Sequence, residues 1–108
     1  MRVYIAGPYS ADNVIDVLGN IRRGIHTAAR IMAKGHAIFC PFLDFQIALT
    51  EYGATLSKSE YQRNSMAWVD VSDVVLVMPG SEKSGGVQRE IARALELGIR
   101  VVYKEGEI

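Results

Sequence analysis

Apolar and polar positions fall into short blocks along this chain, and the period changes from block to block. Arg2 to Ala6 reads RVYIA, apolar on both faces and stopped at once by Gly7-Pro8, the pattern of a parallel strand covered on both sides. Asp12 or Asn13 can cap the next segment, where Val14, Leu18, Ile21, Ile25, Ala28 and Met32 recur at helical spacing. Gly35 ends that helix where a left-handed cap is wanted. His36 to Cys40 (HAIFC) is a second strand, closed by Pro41. Residues 41–56 are apolar without a clean period and are expected to form a loop with one short helix. Such a loop above a strand end often shapes a binding site. Ser57-Lys58-Ser59-Glu60 is a capping box that opens a helix through about Val71. Asp73 to Met78 is a third strand, closed by Pro79-Gly80. The polar stretch SEKSGG leads into a helix from about Val87 to Leu97, and Ile99 to Tyr103 is a fourth strand.

This alternation predicts an α/β fold over residues 1–108, a doubly wound, flavodoxin-like (Rossmannoid) parallel sheet with helices on both faces. Right-handed crossovers make 2-1-3-4 the expected strand order. Ligands of such sheets bind at the carboxyl ends of the strands, so function is to be sought in the loops that start at Gly7, Pro41 and Pro79.

Composition narrows the classes. The 108 residues suit one domain, and 49% hydrophobic with 22% charged residues excludes a disordered or low-complexity chain. Twelve Lys and Arg balance twelve Asp and Glu, so no overall field draws in a nucleic acid polymer or an anionic membrane. A small anion has to be held by local geometry instead. Cys40 is alone and excludes an internal disulfide, while His26 and His36 are unclustered, so neither a metal nor a cofactor is expected. No apolar run approaches the ~18 residues that span a bilayer, and a cytoplasmic location is expected.

The sharpest chemical feature is Ser84-Gly85-Gly86, between a buried strand and a helix. Two glycines let backbone N–H groups approach a ligand, and a helix N-terminus favours a phosphate or sugar hydroxyls. A flexible turn ending in a cap is the plain alternative. Glu90, in the first turns of that helix, is either an ordinary favourable charge near a helix start or a carboxylate aimed over the strand ends at an electrophilic carbon. Arg89 and Arg93 can simply pair with Glu90 and Glu96. Tyr9, in the loop after the first strand, is a candidate for stacking on a base, and Asp44 and Gln46 are candidates for reading its edge. Trp68 and Met66 read first as core, and Cys40 as an inert buried thiol.

Val3-Tyr4-Ile5-Ala6-Gly7-Pro8 resembles the opening of the nucleoside 2-deoxyribosyltransferase superfamily. Asp73-Val74-Val75-Leu76-Val77 followed by Pro79-Gly80 and Ser84 to Ala94 resembles its strand–loop–helix signature, Ser-x-Gly-x-x-x-Glu-x-x-x-Ala, met by Ser84, Gly86, Glu90 and Ala94. The resemblance implies cleavage of an N-glycosidic bond in a nucleoside or nucleoside monophosphate. Glu90 matches the family's nucleophile, which forms a glycosyl-enzyme ester that water or a second base resolves. Tyr4 matches a tyrosine that orients the carboxylate; Gly7, Ser84 and Gly86 match positions that hold a 5′-phosphate, beside Pro8, Tyr9 and Gly85. Two departures stand out. Eight residues before Asp73, where the family usually carries an Asp, this chain has Ser65, a candidate for a sugar hydroxyl but a poor acid. Asp70, about one helical turn further on, is kept as a candidate contact. The arginine that the nucleotide-hydrolysing branch uses after the first strand is replaced here by Pro8-Tyr9-Ser10.

Two alternatives stay open. One is a non-catalytic nucleotide-binding or sensing module of the same fold, which Ser65 favours. The other is an enzyme like the cytokinin-type phosphoribohydrolases, whose glycine-rich motif the Gly-Gly-x-x-x-Glu spacing loosely resembles. A domain this small leaves its site rim thinly covered, and a homodimer or higher homo-oligomer is expected.

Overall fold

The computed structural model describes residues 1–108. Its strands β1 (Arg2–Ala6), β2 (Ala37–Phe39), β3 (Val74–Val77) and β4 (Arg100–Val102) form one parallel sheet in the order β2-β1-β3-β4. Four α-helices connect or flank them: α1 (Val14–Ala33), α2 (Asp44–Ala48), α3 (Lys58–Asp70) and α4 (Gly85–Glu96). The expected strand order is the observed one. No helix is long and apolar enough to cross a membrane.

The central strands explain themselves. Every residue from Val3 to Ala6 and from Val74 to Val77 is buried, because β1 and β3 are covered on both faces. Successive side chains point to opposite faces, so the pairing of Val3 with Val74 and Ile5 with Leu76 sends these four to one side. There they join Ile21, Ala28 and Ile31 of α1, together with Phe42. Tyr4, Ala6, Val75 and Val77 point the other way and join Val69 of α3 with Val87 and Ala94 of α4. Strand parity therefore delivers Tyr4 to the side where α3 and α4 lie. The edge strands β2 and β4 are shorter than the HAIFC and IRVVY runs, since pairing extends only opposite β1 and β3.

The helix ends follow from their caps. Asn13 is the one that caps α1, accepting from the Asp16 amide at 2.9 Å, and Gly35 beyond its end adopts φ 94°. Ser57 accepts from the Glu60 amide and Glu60 returns a bond to the Ser57 amide, both at 3.2 Å, which completes the capping box of α3.

Two regions depart from the sequence pattern. The buried face of α1 is Ile21, Gly24, Thr27, Ala28 and Ile31, whereas Val14, Leu18 and Met32 of the expected stripe are exposed. Phe42 packs on this face: a Cβ at Gly24 would lie 2.2 Å from its ring, so a glycine is needed there, while Ile21 and Ala28 of the expected stripe stay buried and Ile25 packs on the core. Residues 41–56 hold one short α-helix, α2, as expected, and also two 3₁₀ turns, Pro41–Leu43 and Gly53–Thr55. They are pinned rather than loose. A Cβ at Gly53 would meet the Ile47 carbonyl oxygen at 1.7 Å, and the Tyr61 hydroxyl of α3 donates to the Gly53 carbonyl at 2.8 Å.

Gly24→Ala should destabilise the protein by about 1–3 kcal/mol through overpacking against Phe42, outweighing the ~1 kcal/mol that helix propensity offers alanine. Chemical denaturation of the two proteins checks this; equal or higher stability of the variant contradicts the packing account.

Candidate functional site

A cleft of about 760 Å³ opens at the carboxyl ends of the strands, where the loops after β1, β2 and β3 meet. Gly7 to Ser10 form one side, Pro41, Phe42, Asp44, Phe45 and Ala48 another, and Gly80 with Lys83 to Val87 a third. A stripe of α3 closes it: Lys58, Tyr61, Gln62, Ser65 and Met66 stand at the i, i+3, i+4, i+7, i+8 positions of one helical face.

Glu90 lines this cleft from α4. Its Oε2 is buried, and so is the hydroxyl of Tyr4; neither completes a hydrogen bond within the chain. An unsatisfied buried polar atom costs roughly 1–3 kcal/mol, and two stand in this cleft. Burial pushes the Glu90 carboxyl up to about 7. The Tyr4 hydroxyl lies close enough to pull it back, although without hydrogen-bonding geometry; Arg89 pulls in the same direction and the charge of Asp44 pushes it higher. Burial, then the charge of Glu90, raises the Tyr4 hydroxyl far above its ordinary value, so it remains a neutral donor, with the Ser65 hydroxyl acting the other way.

The remaining candidates divide. Pro8 and Tyr9 line the cleft, and Tyr9 stacks on Phe42 with ring centroids 6.4 Å apart. Gly7 lines it too, but packing already demands a glycine there, since a Cβ would meet the Phe42 ring at 2.8 Å and Met78 Sδ at 2.9 Å. Ser65 is buried on the α3 wall. Ser84 lines the cleft with its hydroxyl engaged as the cap of α4, accepting from the Val87 amide at 3.3 Å. Gly85 and Gly86 belong to the first turn of α4 rather than to the preceding loop, because Ser84 already caps the helix. Packing does not explain them: a Cβ at either would find nothing nearer than Arg89, at 3.4 Å and 4.0 Å. Their amides occupy the end of a helix where no intrahelical acceptor exists.

Asp70 stands elsewhere. It lies five residues along α3 from Ser65, and its carboxylate pairs with Arg93 at 2.8 Å outside the cleft. Gln46 is exposed and faces away, whereas Asp44 lines the cleft, its carboxyl raised by burial. Met66 packs against the Tyr4 cluster and also reaches the cleft. Trp68 is half exposed, stacked on Phe39, which in turn stacks on Tyr4. Cys40 is buried and burial raises its thiol. No three His, Cys, Asp or Glu side chains come together as a metal site. Sequence reasoning missed Lys58, Tyr61, Gln62, Lys83 and Phe45; the polar face of α3 was the readable signal for the first three.

Residues 1–104 match the family model described as a domain of unknown function, DUF7768. The chain belongs to the DUF7768 family. No curated protein matches this DUF7768 chain by sequence. Among solved structures it is similar to a 2-deoxyribosyltransferase from Bacillus psychrosaccharolyticus, with a TM-score of 0.63 and 17% identity over 94% of this chain and 69% of that one. It is also similar to a conserved protein from Enterococcus faecalis, with a TM-score of 0.72 and 22% identity over 94% of this chain and 61% of that one. The DUF7768 chain thus spans about two thirds of the length of these structures and has a nucleoside 2-deoxyribosyltransferase-like fold.

The raised Glu90 carboxyl makes stability pH-dependent. The folded protein holds the Glu90 proton up to about pH 7, whereas the unfolded chain releases it near the ordinary carboxylate value of 4.5, so stability falls as pH rises between the two. Glu90→Gln should therefore melt higher than the parent by roughly 5 °C or more at about pH 8, and the difference should shrink towards pH 5. Parallel melting curves across that range check it; a pH-independent difference contradicts the buried carboxyl.

Proposed function

We propose that this chain cleaves or transfers the N-glycosidic bond of a nucleoside or nucleoside 5′-monophosphate, with Glu90 as nucleophile and Tyr4 as its positioning partner. The observation that carries the reading is the buried, unpartnered Glu90 carboxyl beside the unpartnered Tyr4 hydroxyl in a cleft at the strand ends. The fold shared with a 2-deoxyribosyltransferase supports the same chemistry.

In this reading one carboxylate oxygen of Glu90 bonds to C1′ as the C1′–N bond breaks, and the electron pair leaves with the base, which takes a proton from water. Water, or the nitrogen of a second base, then bonds to C1′ as the ester C1′–O bond breaks; Glu90 returns as carboxylate and the incoming group gives its proton to solvent. The Tyr4 hydroxyl, kept neutral, donates towards the ionised carboxylate. Gly85, Gly86 and the cationic side chains of Lys58, Lys83 and Arg89 on the rim suit a 5′-phosphate.

The reaction needs Glu90 ionised, so activity at limiting substrate should rise with pH through about 7 and level off above it. Glu90→Ala should lower release of free base from a panel of nucleosides and 5′-monophosphates by ~10³-fold or more, read by chromatography. Equal release by both proteins contradicts the nucleophile. Binding without release by the parent chain would favour the non-catalytic module, for which the observation is Ser65, a hydroxyl on the cleft wall where a carboxylic acid would serve protonation better.

The expected homo-oligomer belongs to the same proposal. Val14, Ile15 and Leu18 stand exposed on the first turns of α1, an apolar strip that a second copy would cover. Light scattering at micromolar concentration should give a mass above that of one chain; a monomeric mass contradicts it.

A further inference from the structure

Glu90 and Tyr4 account for the sugar end of a nucleoside, and the opposite wall of the cleft bears on its base. Asp44 opens α2 on that wall, half buried, and its carboxylate takes part in no hydrogen bond or ion pair. Flat apolar surface flanks it, from Phe45 and from Tyr9 stacked on Phe42. Burial raises the Asp44 carboxyl above its ordinary value, and its charge is among the influences that raise Glu90 in the same cleft. An ionised carboxylate only accepts hydrogen bonds. Here it stands beside a surface suited to a planar ring, with no side chain of the protein to satisfy it.

We propose that Asp44 is the base-selecting residue of the cleft: its carboxylate accepts from a base edge that carries an amino group, so that cytosine- and guanine-type nucleosides are taken in preference to uracil- and hypoxanthine-type ones. The proposal rests on the nucleoside reading of the site. The chemistry is a matter of matching donors to acceptors. Cytosine presents an amino group with two N–H donors at ring position 4, where uracil presents a carbonyl oxygen and keeps a donor only at the neighbouring ring N–H, so a carboxylate aligned with position 4 favours cytosine. Guanine presents two adjacent donors, its ring N–H and its amino group, to the two carboxylate oxygens, whereas hypoxanthine presents one. A half-buried carboxylate that meets fewer donors is not fully repaid for its lost hydration, so the edge with fewer donors is disfavoured.

The test measures binding to the Glu90→Gln protein by calorimetry, using 2′-deoxycytidine against 2′-deoxyuridine and 2′-deoxyguanosine against 2′-deoxyinosine, each with and without a 5′-phosphate. The amino-bearing member of each pair should bind about 10-fold tighter or more. Adding Asp44→Asn, whose carboxamide donates as well as accepts, should bring the ratio near unity or invert it, and Asp44→Ala should abolish it. Equal binding within both pairs, a ratio that survives both substitutions, or no binding of any probe overturns the proposal. Release of base by the parent chain is measured alongside. Release without amino preference leaves the glycosidic reading standing and removes the role of Asp44; amino-selective binding with no release does the reverse.

Discussion

Holding the Glu90 carboxyl out of water, beside a Tyr4 hydroxyl that is equally without a partner, opposes folding. Each unsatisfied atom costs roughly 1–3 kcal/mol, and the carboxyl responds by keeping its proton up to about pH 7. Such an arrangement persists only where the surrounding structure over-determines it. In this chain the surroundings do so from two directions. Tyr4 sits in β1 between β2 and β3, where its neighbours Val3 and Ile5 are fully committed to the opposite face. Glu90 sits on α4, which is fixed to the sheet by Val87 and Ala94.

The rest of the fold can be understood as supplying that rigidity and the space above it. Phe42 is shared between purposes: it fills the groove at Gly24 of α1, packs over Gly7, supports Tyr9 and forms part of the cleft wall. The bond from Tyr61 to the Gly53 carbonyl ties the irregular stretch after β2 to α3, so Asp44 and Phe45 face the cleft from a braced segment. The ion pairs Arg2–Asp73, Arg30–Glu105 and Arg93–Asp70 lie on partly exposed surface and contribute little by comparison.

Much of this is readable in the sequence. Strands buried on both faces announce themselves by unbroken apolar runs, as in RVYIA and DVVLV, and their ends by Gly7-Pro8 and Pro79-Gly80. The capping box at Ser57 placed α3 to within a residue, because its bonds are local. What was not readable depends on partners distant in sequence. The buried face of α1 includes Gly24 against Phe42, eighteen positions on, and nothing in the spacing of Val14, Leu18 and Met32 reports that contact. Sequence proximity to Ser65 suggests Asp70 for the site, but its carboxylate pairs with Arg93, twenty-three residues away. Glu90 and Tyr4 could be named from the sequence, but the burial and lack of partners that give them chemical meaning are three-dimensional facts. Asp44 lines the cleft and Gln46, two residues on, does not, because the two point apart on α2.

The most direct test is an NMR titration of the Glu90 side-chain carboxyl, ¹³C-labelled, in the protein without ligand. The account predicts a midpoint near 7. It also predicts that Asp44→Asn lowers this midpoint, by removing a like charge from the same cleft. A midpoint at the ordinary carboxylate value of 4.5, unmoved by that substitution, would mean that the group is hydrated and unconstrained, and would contradict the account.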